Sequence, residues 1–228
     1  MKTKIITLLT LTGLAGAALA APQTFDFKDP KGVNNAVFKL DAPLEAINGS
    51  ANGISGTVTF DPASPTATKG KIVVAASSLH VPNLMMQGHL HGEQWLDVAK
   101  HPEITFEAKS LNNVKTTDDN TTADVTGTLT IKGTAKEITV PVKFSYLKDK
   151  LGLRVPNQQG DLLVIRANFA IRRSDFGINP KAPEDKVSNT IDLTLSVAGR
   201  RRADSGKHAF HRPCPPPSIR KFGSATSS

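Results

Sequence analysis

The chain has one cysteine in 228 residues, Cys214, and that scarcity excludes two kinds of small protein. An internal disulfide needs two thiols, so a disulfide-stapled fold is ruled out. A zinc site built on thiolates needs at least two of them, so it is ruled out as well. Aromatic residues are few, at 5%, with a single Trp and a single Tyr. Beyond residue 20 no apolar run is long enough to cross a membrane as a helix, so no stable membrane insertion is expected. No Gly-rich phosphate loop, nucleophile elbow or His-Glu-x-x-His pair occurs, and the carboxylates are scattered, which points away from an enzyme.

A charge excess is also missing from the body of the chain. The formal net charge is +8, but residues 200–228 carry seven Lys or Arg against Asp204, and Lys2 and Lys4 account for the rest. Residues 21–199 hold 19 basic and 19 acidic side chains and are neutral. A nucleic-acid surface would place the basicity on the globular part, so no nucleic-acid partner is expected.

Residues 1–20 read as a secretory signal. Lys2 and Lys4 precede an apolar run over residues 5–14, and Ala18-Leu19-Ala20 supplies small residues for cleavage after Ala20. An exported chain is predicted, periplasmic if the source is a Gram-negative bacterium. Asn48-Gly49-Ser50 and Asn120-Thr121-Thr122 match the glycosylation triplet, which matters only in a eukaryotic source.

The remainder is written in period two. Ile104, Phe106 and Ala108 alternate with Thr105, Glu107 and Lys109, and Val125, Gly127, Leu129 and Ile131 alternate with threonines and Lys132. Similar alternation covers 138–146, 163–171 and 191–197, with shorter runs at 56–60 and 71–76 and weaker candidates at 36–40 and 44–48. Strands with one apolar face follow, eight or nine of them, separated by turn clusters such as Asp118-Asp119-Asn120 and Lys132-Gly133. So many antiparallel strands must close into a barrel or pack as a sandwich to manage their edges. Pro141 cannot donate to a ladder and predicts an edge or seam. Residues 83–98 break the period and predict one or two short helices interrupted at Gly88 and Gly92. From residue 199 the period stops, and a basic, Pro- and Ser-rich disordered tail is predicted over 199–228.

Two segments carry the polar chemistry. His80, His89, His91 and His101 lie within twenty-two residues, next to Glu93 and Asp97. They would bind zinc or copper if the loop converged, although the spacing matches no ligand class and capping of a loop is the simpler reading. Ser78 or Ser174 beside one of these imidazoles is a weaker nucleophile candidate, lacking a third orienting group. Arg172-Arg173-Ser174-Asp175-Phe176-Gly177-Ile178 contains Asp-Phe-Gly without the other kinase signatures. Two readings stay open: Arg172 pairs with a carboxylate while Phe176 plugs a core, or a guanidinium at a pocket mouth grips a phosphate or carboxylate.

Taken together, Gly88-His89-Leu90, Trp95-Leu96-Asp97-Val98, Lys100-His101-Pro102-Glu103-Ile104-Thr105-Phe106, the run Gly127–Thr134 and Arg172 with Asp175–Ile178 resemble the motifs of the YceI-like family of secreted, lipocalin-like, polyisoprenoid-binding proteins. The likeness covers about residues 53–197. Met86-Gln87 stands where Arg-Asp is usual, Trp95-Leu96 where two Phe are, and Ile171 where an Asn precedes the Arg. The resemblance implies an all-β fold: an eight-stranded antiparallel barrel over 21–198 with a short helical insert. It also implies non-enzymatic binding, storage or transport of a long-chain isoprenoid or related amphipathic lipid. No cofactor is expected beyond such a lipid or a quinone, and no metal. His89, His91, Arg172 and Arg173 are expected at the mouth, on the head group. Leu84, Met85, Leu90 and Trp95 are expected at the lid, and Phe106, Leu129, Phe144, Phe169 and Phe176 along a smooth apolar bore. An eight-stranded barrel is about wide enough for side chains or one slender ligand. The alternatives are a metal-binding β-protein using the four histidines, and a stress-responsive structural protein with a filled interior. Pairing of two chains along an edge is left open.

Overall fold

The computed structural model describes residues 22–202. The predicted signal segment and most of the predicted tail lie outside the described residues. Eleven strands run in chain order: β1 Gln23–Asp26, β2 Asn35–Asp41, β3 Ala46–Ala51, β4 Ile54–Phe60, β5 Lys69–Ala75, β6 Leu79–His80, β7 Glu103–Thr117, β8 Asn120–Ile131, β9 Thr134–Leu147, β10 Gly160–Arg172 and β11 Thr190–Arg202. Two short helices are α1, Leu84–His91, and α2, Leu151–Arg154.

All ladders are antiparallel, and pairing of β1 with β11 closes the sheet. Six of the strands are halves of three longer ones. β1 pairs with β4 and β2 with β3, so 23–41 and 46–60 form one hairpin with 27–34 inserted in its first arm. β5 and β6 continue the next strand past the turn at Ala76–Ser78, pairing with β4 and β3 in succession. With these joined, the fold is the closed eight-stranded barrel that the family resemblance implies, and it settles the choice between barrel and sandwich that the strand pattern left open.

The period-two reading is sharpest in β8, where Ala123, Val125, Gly127, Leu129 and Ile131 are all buried and the residues between them are not. The hairpin loops Asp118-Asp119 and Lys132-Gly133 are two residues long, as their turn chemistry suggests. Pro141 also falls where expected. The ladder from β9 to β10 covers Val142–Leu147 only, so Pro141 is the first residue beyond it and no β10 partner lacks a donor. From there β9 and β10 diverge, and Phe176, buried in the short turn after β10, fills the split.

Two boundaries differ from the sequence reading. β11 runs on to Arg202 rather than ending near 198, because Arg201 binds the buried Asp161 at 2.7 Å and Gly199 lies under a ring. A Cβ on Gly199 would meet Phe27 at 2.5 Å, so that position tolerates no side chain. The helix α1 passes through Gly88 and ends only at Gly92; it starts at Asn83, whose side chain accepts from the Met86 N–H at 3.0 Å.

One end of the barrel is filled. Phe25, Phe27, Phe60, Leu163 and Val197 are 0–2% exposed there, with Phe60 stacked on Phe144 at 5.6 Å. Two polar clusters seal the rim. Asn34 donates to the Phe27 and Ala198 carbonyls and accepts from Arg154, which also pairs with Asp29 at 2.9 Å. Asp161 accepts from the Asp149 N–H, the Tyr146 hydroxyl and Arg201. Burial pushes the Asp161 carboxyl up, but these donors outweigh it and hold the group below its ordinary value.

Candidate functional site

The opposite end is hollow. A cavity of about 230 Å³ is walled by Phe38, Leu40, Ile104, Ile131, Ile171, Ile191 and Leu193 from the strands. Its roof is the helix α1 and the turns after it, which contribute Met86, His89, Leu90, Trp95 and Leu96. Deeper in the barrel lies a second, smaller cavity of about 70 Å³, among Phe106, Leu111, Val125, Phe144, Ile165, Phe169 and Leu195. The single smooth bore expected from the sequence is therefore two apolar chambers.

The roof is stitched down by backbone and amide contacts. Gln87 accepts from the Val81 N–H and donates to the Leu79 carbonyl, fixing α1 against β6. The Gln94 carbonyl accepts from the Asn179 N–H and the Lys132 ammonium, which also reaches the Gly177 carbonyl at 3.2 Å. Cap and loop 177–189 thereby form one rim. An open groove over that rim carries His89, Glu45, Glu93, Lys181 and Lys186 and shares His89, Glu45, Trp95 and Val187 with the larger chamber.

Arg173 is 1% exposed and is not a free cation at the mouth. A guanidinium has five N–H donors. All five point at carbonyl oxygens: Ser188 takes Nε, Ile178 and Asn179 take Nη1, and Ala182 and Val187 take Nη2. Its charge also sits 5.8 Å from the Trp95 ring centroid. Burial lowers its pKa, opposed by Glu184. The head-group role expected for Arg173 is thus corrected: the side chain shapes loop 177–189 and has no donor left for a ligand.

Four other expected mouth or lid residues are corrected in the same way. Arg172 lies on the outer face of β10, beside Lys136 and Asp175 at the split, because strand alternation puts it opposite Ile171. His91 does not face the chamber. Its Nε2 sits 2.9 Å from both the Gln87 amide and the Leu79 carbonyl, in the seam that holds α1. Leu84 and Met85 are 83% and 75% exposed; α1 turns Met86, His89 and Leu90 inward instead. Phe176 seals the wall rather than lining the bore, and Leu129 is buried between the chambers. His89, Leu90 and Trp95 border the larger chamber, and Phe106, Phe144 and Phe169 the smaller.

The histidine cluster does not converge. Among the described residues no three His, Cys, Asp or Glu side chains are placed to hold a metal ion. His91 is engaged as above, and the His101 ring lies over Gly133 on another hairpin. Ser78 donates to the Ala75 carbonyl, and no described hydrogen bond joins it or Ser174 to a histidine. Sequence reasoning missed Lys181 and Lys186 at the rim, because they sit in a segment with no period.

Comparison with known proteins agrees with this architecture. A family model for the YceI-like domain matches residues 30–198. A UPF0312 protein of Pseudomonas savastanoi pv. phaseolicola is 32% identical over 187 residues, spanning 81% of this chain and 89% of its own length. Among solved structures, Burkholderia cenocepacia BcnA superposes with a TM-score of 0.59 at 21% identity, over 72% of this chain and 95% of its own. A polyisoprenoid-binding domain from Saccharophagus degradans does so with a TM-score of 0.57 at 10% identity, over 79% and 99%. At such identities these two likenesses speak to the fold alone.

Proposed function

Since the chain belongs to the YceI-like family, we propose that it binds a long-chain isoprenoid or related amphipathic lipid without catalysis, as an exported carrier or store. The observation that carries the reading is the apolar chamber of about 230 Å³ opening at a polar rim. Burying methylenes contributes roughly 0.8 kcal/mol each, so a hydrocarbon tail needs no polar contact inside. The Saccharophagus neighbour, which shares the fold, is a polyisoprenoid-binding domain, and the proposal extends that ligand class to this chain.

The rim supports an uncharged head, such as an alcohol, phenol or quinone, over a diphosphate. Lys181 and Lys186 are balanced there by Glu45 and Glu93. Arg173 has no free donor and Arg172 faces away, so the bidentate cationic clamp that an anionic head favours is not formed. Organic extraction of the purified full chain is expected to return a prenyl compound by mass spectrometry. Titration is expected to show a prenyl alcohol binding at least as tightly as the diphosphate of equal length. Tenfold tighter binding of the diphosphate overturns the neutral head, and binding of neither overturns the carrier reading.

A further inference from the structure

The two chambers share one axis. Along three strands the inward positions pass from the larger to the smaller in a step of two residues: Ile104 to Phe106 on β7, Ile171 to Phe169 on β10, and Leu193 to Leu195 on β11. Two residues of strand advance about 6.6–6.8 Å, so only one layer of side chains separates the hollows. Phe106, Ile138 and Phe169 pack against the clusters on both sides, and Leu129 is buried bordering neither hollow. The inward position next to Leu129 on β8 is Gly127, where a Cβ would come within 2.6 Å of Phe106 Cζ. The Phe106 ring therefore leans over β8 into the space of a missing side chain, completing the partition.

We infer that Phe106 sets the length of hydrocarbon tail the barrel accepts, and that the smaller chamber is a terminal subsite reached only past its ring. This rests on the isoprenoid reading above. A cavity of about 150 Å³ holds one benzene. The larger chamber, at about 230 Å³, therefore takes about nine carbons, close to two isoprene units. The smaller, at about 70 Å³, adds room for about three more carbons. A two-unit tail fits without disturbing the partition. A longer one must displace the ring from Gly127, and that displacement offsets part of the gain from each further methylene.

The test uses the full chain, stripped of bound lipid, titrated with prenyl alcohols of two, three and four isoprene units. In the wild type, affinity is expected to rise less than threefold between two and four units. Phe106→Ala is expected to bind the four-unit alcohol at least tenfold more tightly than wild type, with two-unit binding unchanged within threefold. Phe106→Leu, which keeps a branched apolar side chain and disturbs folding less, is expected to shift in the same direction by about half as much on a logarithmic scale. Parallel length dependence in wild type and both variants overturns the length determinant while leaving the isoprenoid reading intact. Failure of all three alcohols to bind the wild type overturns both.

Discussion

The two ends of the barrel are built from the same strands and solve opposite problems. At the closed end many of the inward residues are aromatic: Phe25, Phe27, Phe60 and Phe144 belong to one buried cluster, with Phe60 stacked on Phe144, behind rims tied by Asp161 and Asn34. At the open end the inward residues are mostly aliphatic, the roof is a short helix and turns, and the space between the walls is empty. Flat rings from facing strands reach far enough to touch, whereas Ile, Leu and Val of the same strands do not. The tightest packing of the fold is thus concentrated at the end away from the larger chamber, which leaves the mouth free to be shaped by loops.

Substitutions at the two ends should separate this division of labour. Phe27→Ala is expected to cost about 3–5 kcal/mol in urea unfolding, as a filled core loses a ring. Ile191→Ala, at the wall of the larger chamber, is expected to cost no more than about 1.5 kcal/mol, because its side chain already faces a void. Equal costs would mean that the open end is as tightly packed as the closed one.

Arg173→Met tests the rim. Removing the donors that five carbonyls share is expected to destabilise by about 3 kcal/mol and to raise amide exchange across residues 177–189 before the rest of the barrel. Uniform exchange would remove the assignment of Arg173 to that loop.

The effect expected at the opposite seal depends on pH. The folded Asp161 carboxyl lies below its ordinary value of 3.8, despite burial, because Asp149, Arg201 and Tyr146 donate to it. Its contribution is full above the unfolded value and is lost as pH falls through the folded one. Asp161→Asn is therefore expected to cost about 1.5 kcal/mol near neutrality and progressively less below pH 4, measured by unfolding at a series of pH values. A pH-independent difference would place the stabilisation elsewhere.

Much of the barrel was legible because half-buried strands announce themselves. β8 and the strands on either side of it read from alternation alone. β1, four residues long, and β6, two residues long, are below the length at which a period shows. The site was less legible. His89 and Trp95 stand at the chamber as their motif suggests, but Arg173 was misread, since its five acceptors come from a segment without pattern. Leu84 and Met85 looked like lid residues by type, yet helix rotation sends them outward.

By itself, the sequence determined a set of antiparallel strands with one apolar face, their turns and the family motifs, because side-chain alternation and turn chemistry are local. Whether facing walls touch or leave a hollow, and which cation keeps a free donor, depends on residues far apart in the chain meeting across about one barrel width. Only the tertiary structure decided those, and with them the partition at Phe106 and the balanced charge of the rim.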